Sequence, residues 1–335
     1  MRILIVSDAW FPQVNGVVRT LSAVADLLRA EGDTVEVIGP DRFHSLPMPG
    51  YAEIRLAVAP SARLRRLVDA FAPEAVHIAT EGPLGWAMRS LCRKRRWPFT
   101  TAFHTRFPEY LEARTRIPAR WSWRLMRRFH EAGAGTFAAT ATLRDELAAR
   151  GFTKVRPWTR GVDTSRFRPG DRGAWDGLPR PIFLYAGRVA VEKNIEAFLA
   201  LDLPGTKVVV GDGPALPELK RRFPDAIYTG YRENGALVSA YAGADVFVFP
   251  SRTDTFGLVL LEALASGTPV AAFPVMGPKD VVTDPRIGAL DEDLRTACLL
   301  ALDGDRDACR RHAEAWSWQA CAAQFRATLV QVGAG

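Results

Sequence analysis

A chain of 335 residues, 48% of them apolar, is long enough to bury two substantial cores rather than one. That apolar content, with a net charge of only +7, excludes a disordered or fibrous class. No stretch approaches the roughly 18 uninterrupted apolar residues of a spanning helix. The apolar run 1–6, stopped by Ser7 and Asp8, is too short and wrongly flanked for a signal peptide and reads as a buried first strand. The four cysteines, Cys92, Cys298, Cys309 and Cys321, show no C-x-x-C spacing, and reduced, packed thiols in a cytoplasmic protein are expected.

Along the chain, short apolar runs alternate with helix-length patterns. Strands are predicted at 3–6, 34–38, 75–78, 99–103 and 136–138, with helices at 17–30, 84–95, 121–132 and 143–150. The rhythm resumes with strands at 182–186, 207–210, 246–249 and 270–273. Such alternation implies parallel sheets built from βαβ units, hence an α/β chain of two doubly wound, Rossmann-like domains. The Pro- and Gly-rich stretch 168–181 offers little to bury and is the expected linker. The predicted organisation is a first domain at 1–170, a second at 171–315, and a last helix at 316–335 with Trp316, Ala320, Ala323 and Ala327 near one face. Ligands of open α/β sheets bind beyond the carboxyl ends of the strands, so the site is expected in a cleft between the two sheets.

The strand ends carry the chemistry. Phe11 to Val18 follows the first strand and opens a helix at Gly16 and Val17, without the G-x-G-x-x-G of a dinucleotide fold. His104 closes the strand 99–103, and Glu81 follows the strand 75–78. Gly187 and Arg188 end the strand 182–186, and Lys193 precedes a helix. That placement of two cations suits phosphates. Gly211 and Gly213 make a tight turn after the next strand, where glycine lets backbone approach a ligand. After the run 246–249, a polar loop leads through Asp254, Thr255, Phe256 and Gly257 into a helix bearing Glu262. The bare amides of the helix mouth would take phosphate, and the two carboxylates would accept from sugar hydroxyls.

The Asp254-x7-Glu262 spacing followed by ALASGTPV, with GRVAVEKN at 187–194, resembles the retaining, nucleotide-sugar-dependent glycosyltransferases of family 4, whose fold is GT-B. The resemblance spans nearly the whole chain. This chain carries Asp254 where most members have glutamate, one methylene longer. The resemblance implies that Arg188 and Lys193 bind the donor diphosphate, that Asp254 and Glu262 contact the sugar, that Tyr231 and Arg232 meet the nucleobase, and that Gly16 and His104 contribute from the first domain. It also implies a last helix that crosses back to the first domain, and chemistry that needs no enzyme nucleophile. No D-x-D pair is placed for a divalent ion, Asp291-Glu292-Asp293 lying in a late, helix-leading segment, and there is no His/Cys ligand cluster, so no metal and no cofactor is expected beyond a UDP-sugar as substrate.

Charge is unevenly placed. Residues 1–170 hold 27 Lys and Arg against 16 Asp and Glu, and the remainder 17 against 21. The basic residues cluster around Arg63, Arg65 and Arg66, at 89–96, and at 120–128 among Trp121, Trp123, Leu125, Met126 and Phe129. Arginine interleaved with Trp and Leu suits an anionic bilayer, and no nucleic-acid module accompanies it. With Arg160-Gly161-Val162-Asp163 and Thr253 to Gly257, the chain is most similar to the lipid-glycosylating branch, the sulfolipid synthases and bacterial diacylglycerol glycosyltransferases. That similarity implies transfer of a hexose or hexuronic acid to diacylglycerol or a related lipid on the inner face of the cytoplasmic membrane. A polysaccharide or soluble acceptor would keep the donor motifs but need no lipid-facing arginines. A non-catalytic binding protein would be expected to have lost phosphate-binding residues, and Arg188, Lys193 and Glu262 are present.

Overall fold

The computed structural model describes residues 1–13, 15–48, 51–104 and 118–333. Val14, within the segment 11–18 above, lies outside them. The chain divides into two compact units, Met1–Arg160 with Trp318–Gly335, and Gly161–Ser317.

The first unit contains β1 (Arg2–Val6), β2 (Thr34–Ile38), β3 (Ser45–Met48), β4 (Tyr51–Ala57), β5 (Ala75–Ile78), β6 (Thr100–Ala102), β7 (Gly135–Ala138) and β8 (Val155–Pro157). Six of them form a parallel sheet in the order β2-β1-β5-β6-β7-β8. Strands β3 and β4 pair separately as an antiparallel hairpin that the apolar pattern did not announce. Ile3, Leu4, Ile5 and Val6 are all fully buried, because helices cover both faces of a parallel sheet and leave no polar side. Leu21, Val24 and Leu28 of the Gly16–Ala30 helix pack on one face. Leu64 and Val68 of Ser61–Phe71, with Leu84 and Met88 of Pro83–Arg95, pack on the other.

The second unit holds β9 (Ile182–Ala186), β10 (Thr206–Val210), β11 (Ile227–Gly230), β12 (Val246–Phe249), β13 (Val270–Ala272) and β14 (Gly288–Leu290). They form a parallel sheet in the order β11-β10-β9-β12-β13-β14. From β9 the sheet grows outward one way to β11, then the chain returns to the other side of β9 and grows the opposite way. The order therefore reverses between β9 and β12, and their carboxyl ends open the crevice where such sheets take ligands.

Two expectations about organisation need correction. The division falls after Arg160, not after 170. Phe167 is buried against the Tyr241 ring at 5.9 Å, and Arg310 Nη1 donates to the carbonyls of Thr164 and Phe167 at 2.9 and 2.8 Å. Nor is 168–181 a free linker, since Trp175 is buried with its Nε1 donating to the Ala240 carbonyl at 3.1 Å. One large ring outweighs the Pro and Gly around it.

The last helix runs Trp318–Thr328 and buries Cys321, Ala322 and Phe325, while Ala320, Ala323 and Ala327 are exposed. The inward face is set by Phe325, whose ring lies 4.8 Å from His77, 5.1 Å from Trp158 and 5.6 Å from Phe137. Trp316 stays with the second unit, its ring 5.5 Å from Phe256. All four cysteines are free and buried, and burial pushes the Cys92, Cys298 and Cys309 thiols up to about 12.

Candidate active site

The crevice of the second unit is built by two loops. After β9, Gly187 turns the chain at a φ of +150°, and Gly211 after β10 does the same at +143°. A Cβ on Gly211 would lie 1.8 Å from the Gly187 carbonyl oxygen. Only glycine lets the two turns pack this closely. Tyr185 Oη donates to the Arg188 carbonyl at 2.7 Å, holding the backbone that carries this half-buried arginine. Asn194, left-handed at a φ of 55°, ends the short turn Val191–Lys193.

Three contacts tie this loop to the one after β12. Lys193 Nζ donates to Asp254 Oδ1 at 2.6 Å, Asn194 Nδ2 to the Pro250 carbonyl at 3.0 Å, and Thr253 Oγ1 to the Glu192 carbonyl at 3.4 Å. Asp254 Oδ2 and Ser251 Oγ are buried without a hydrogen-bond partner among the described residues. A buried polar atom in that state costs on the order of 1–3 kcal/mol, which a ligand group or water at the crevice would recover.

The Leu258–Ala265 helix opens at Gly257, left-handed at a φ of 86°, with no side-chain cap on its first amides. Phe256 before it is buried, and Thr255 half-buried. Glu262 is only 6% exposed, so it is not a solvated helix residue. Its Oε2 accepts from Tyr241 Oη at 3.0 Å in a buried contact. Tyr241 was missed in the sequence because nothing in its spacing connects it to position 262.

The remaining predicted residues of this unit stand apart. Arg232 lays its guanidinium over the Trp175 ring at 4.9 Å, and Tyr231 is exposed with its hydroxyl 3.4 Å from Glu233. Gly213, at a φ of +155°, packs against the Val189 backbone and not against the cation pair.

In the first unit, Asn15 caps the Gly16–Ala30 helix, its Oδ1 accepting from the amides of Val17 and Val18, both at 3.0 Å. The Val17 amide is therefore already engaged, whereas the Gly16 amide stands outside this cap. His104 follows β6, half-buried, and Arg160 Nη2 lies 3.4 Å from its Nδ1. Burial and the Arg160 charge hold the His104 imidazole well below its ordinary pKa. Glu81 is engaged by His130, whose Nε2 is 3.0 Å from Oε1 and whose Nδ1 is 2.8 Å from Thr101 Oγ1. Among the described residues, no group of three His, Cys, Asp or Glu side chains is close enough to hold a metal ion.

The basic clusters resolve into different roles. Arg89 is buried, donating to the carbonyls of Phe129 and Arg128 at 3.2 and 2.8 Å, and so closes the end of the Ala119–His130 helix. That helix buries Trp123, Met126 and Phe129 but exposes Trp121 and Leu125 beside Arg120, Arg124, Arg127 and Arg128. No helix among the described residues is long and apolar enough to cross a membrane.

Two parallel Rossmann-like sheets, the second with the Lys193–Asp254 pair joining two loops at its switch point, give the chain the GT-B fold. The sucrose-phosphate synthase of Thermosynechococcus elongatus superposes with a TM-score of 0.78 at 21% identity, covering 97% of both chains. The model of glycosyltransferase family 4 matches residues 14–166, and that of glycosyl transferases group 1 matches 180–303. The chain is 34% identical to a GDP-mannose-dependent alpha-mannosyltransferase of Mycobacterium tuberculosis, over 87% of this chain and 83% of that one. It is 29% identical to the sulfoquinovosyl transferase SQD2 of Arabidopsis thaliana, over 96% and 72%. It is 27% identical to the alpha-monoglucosyldiacylglycerol synthase of Streptococcus pneumoniae, over 90% and 78%. The chain belongs to glycosyltransferase family 4.

Proposed function

We propose that this enzyme moves a hexosyl group, with retention, from a nucleoside diphosphate sugar to a membrane lipid. The observation that carries the donor half is the loop-to-loop contact of Lys193 with Asp254 at the switch point. Arg188, Lys193 and the uncapped amides after Gly257 meet the negative charge that grows on the departing diphosphate. Asp254 and Glu262 accept from sugar hydroxyls, and Gly16 and His104 contribute further donor contacts. In this reading the leaving phosphate takes the acceptor's proton, and fixed cations do the work without a metal.

The relative from M. tuberculosis makes GDP-mannose the first donor to try, ahead of the UDP-sugars expected from the motifs. The relative named for monoglucosyldiacylglycerol supports a glycerolipid acceptor. The outer face of Ala119–His130 supports a peripheral position on an anionic membrane, since amphipathic Trp and Leu flanked by arginine favour the interface. The test is a matrix of GDP-mannose, UDP-glucose, UDP-galactose and UDP-glucuronic acid against diacylglycerol and its monoglycosylated form in vesicles, with the anomer read by NMR. Transfer to soluble glycans alone, with no lipid product from any donor, would overturn the acceptor assignment.

A further inference from the structure

We infer that the second unit carries a second anion site, for a phosphate monoester group, at the end of its sheet opposite the donor crevice. Pro181, Asp245 and Pro269 stand immediately before β9, β12 and β13, and with Arg172, Arg180 and Arg306 they line a cavity of about 360 Å³. Gly187, at the crevice, follows the far end of β9, five residues on and about 16 Å away at a strand's rise.

Three guanidinium groups meet in this cavity over one carboxylate. Asp245 accepts from Arg180 Nη1 at 3.0 Å on Oδ1 and 2.8 Å on Oδ2, from the Ile182 amide at 2.7 Å, and from Arg172 Nη2. Arg306 donates to the carbonyls of Ala244 and Ala242 at 2.9 and 2.7 Å, and Arg180 to that of Gly243 at 3.2 Å. Those two arginines therefore also close the Asn234–Gly243 helix, which is a structural duty. Arg172 has no such duty. Its guanidinium touches only Asp245, which Arg180 and the Ile182 amide already satisfy. Among the described residues its other side-chain N–H groups have no acceptor, and the side chain is 45% exposed.

Three cations against one carboxylate leave two positive charges unmatched, and the carbonyl end of the helix offsets about half of one. Burial foremost, and then the Arg172 charge, hold the Arg306 guanidinium below its ordinary pKa, as crowding of like charges requires. A phosphate monoester brings roughly −1.5 to −2 at pH 7 and three acceptor oxygens, which guanidinium forks bind in pairs. A carboxylate would meet only half of that charge. The same phosphate group heads soluble esters and phosphatidic acid, and the experiment takes both.

The test is calorimetry with glycerol 3-phosphate and with dihexanoyl phosphatidic acid, on the parent and on Lys193→Ala, whose crevice has lost a cation. Both ligands should still bind Lys193→Ala. Adding Arg172→Gln should weaken that binding about tenfold or more, the usual loss for one charge-assisted contact. Arg172→Lys, which keeps the charge without the fork, should fall between. Circular dichroism checks the fold of each variant. Binding to the parent that Lys193→Ala abolishes would place the phosphate in the donor crevice and overturn the inference. So would no heat from either ligand at about 20 mM, or equal affinity with and without Arg172→Gln in folded protein. Tighter binding of phosphatidic acid than of glycerol 3-phosphate would support the site with a lipid headgroup as its ligand, and the reverse order would support it with a soluble ester.

Discussion

Lys193 Nζ sits 2.6 Å from Asp254 Oδ1, so the cation expected to hold the diphosphate is paired with the carboxylate expected to hold the sugar. Both side chains are partly exposed, at 25% and 20%, and so the pair is accessible to exchange: phosphate can take Lys193 while a hydroxyl takes Asp254. The shorter aspartate keeps its second oxygen buried without a partner among the described residues. A ligand hydroxyl would satisfy it.

Lys193→Ala and Arg188→Ala should each slow transfer roughly 10²-fold or more, the usual cost of one preorganised donor at a developing anion. Both residues lie in loops, so circular dichroism and melting should match the parent. Steady-state kinetics on vesicles with the accepted donor provide the check. Near-parent turnover in both variants would remove the donor site from this crevice.

Glu262 and Tyr241 can be separated by their effects. Glu262→Gln keeps size and loses charge, so a charge-assisted bond to a sugar hydroxyl becomes a neutral one. Donor affinity should fall on the order of tenfold. Tyr241→Phe removes the buried hydroxyl that donates to the Glu262 carboxylate and should cost roughly 1.5–3 kcal/mol of stability, with donor affinity held to within a few-fold. Calorimetry with the donor and denaturant melts read the two quantities. Equal donor affinities in parent and Glu262→Gln would make the glutamate a structural partner of Tyr241 alone.

The strands at 34–38, 75–78, 182–186 and 246–249 were legible to the residue, the last three because a parallel strand buried on both faces is a nearly continuous apolar run bounded by polar turns, the edge strand 34–38 because its valines and isoleucine flank a half-buried Glu36. The hairpin β3 and β4 was not, since its mixed composition carries no clean alternation. Spacing and chemistry placed Arg188 and Lys193 after β9 and Asp254 in the loop after β12, and the structure has them in those two loops, with Glu262 inside the Leu258–Ala265 helix. What spacing could not supply was pairing across the fold: Asp254 with Lys193, Glu262 with Tyr241, Glu81 with His130. Arg160 was visible only as a letter of a motif, and its contact with His104 spans 56 positions of the chain. Composition misled in the stretch 168–181, where one tryptophan decides burial.

Acid should loosen the first unit through Asp33. Its buried carboxylate accepts from Arg326 Nε at 2.7 Å and from the Met1 amine at 2.9 Å, and Arg326 foremost holds it below the usual carboxylate range. A depressed folded pKa means stability that is fully present above the unfolded value of about 3.9 and lost as pH falls through the folded one. Asp33→Asn should therefore melt below the parent at pH 7, and the gap should narrow once pH drops beneath about 4. A gap that stays constant down to pH 3 would show that the charge of Asp33 contributes nothing and that only its packing matters.

The outer face of Ala119–His130 sets the riskiest expectation. Trp121 is 55% and Leu125 52% exposed, one turn apart, with the Arg120 and Arg124 guanidinium groups 5.9 and 5.5 Å from the Trp121 ring. Each basic residue near an anionic surface contributes on the order of 1 kcal/mol. Replacing Arg120, Arg124, Arg127 and Arg128 by Gln should then weaken binding to anionic vesicles roughly a thousandfold, if all four reach the surface. Salt should weaken the parent's binding in the same direction, because the attraction is screened within a Debye length. The substitutions leave Lys193, Asp254 and Glu262 untouched, so donor affinity should hold while transfer to lipid in vesicles collapses. Sedimentation with vesicles, paired with calorimetry on the donor, separates the two effects. A fourfold variant that binds anionic vesicles as tightly as the parent would reduce this face to an ordinary solvated helix surface, leaving the lipid acceptor supported by its relatives alone.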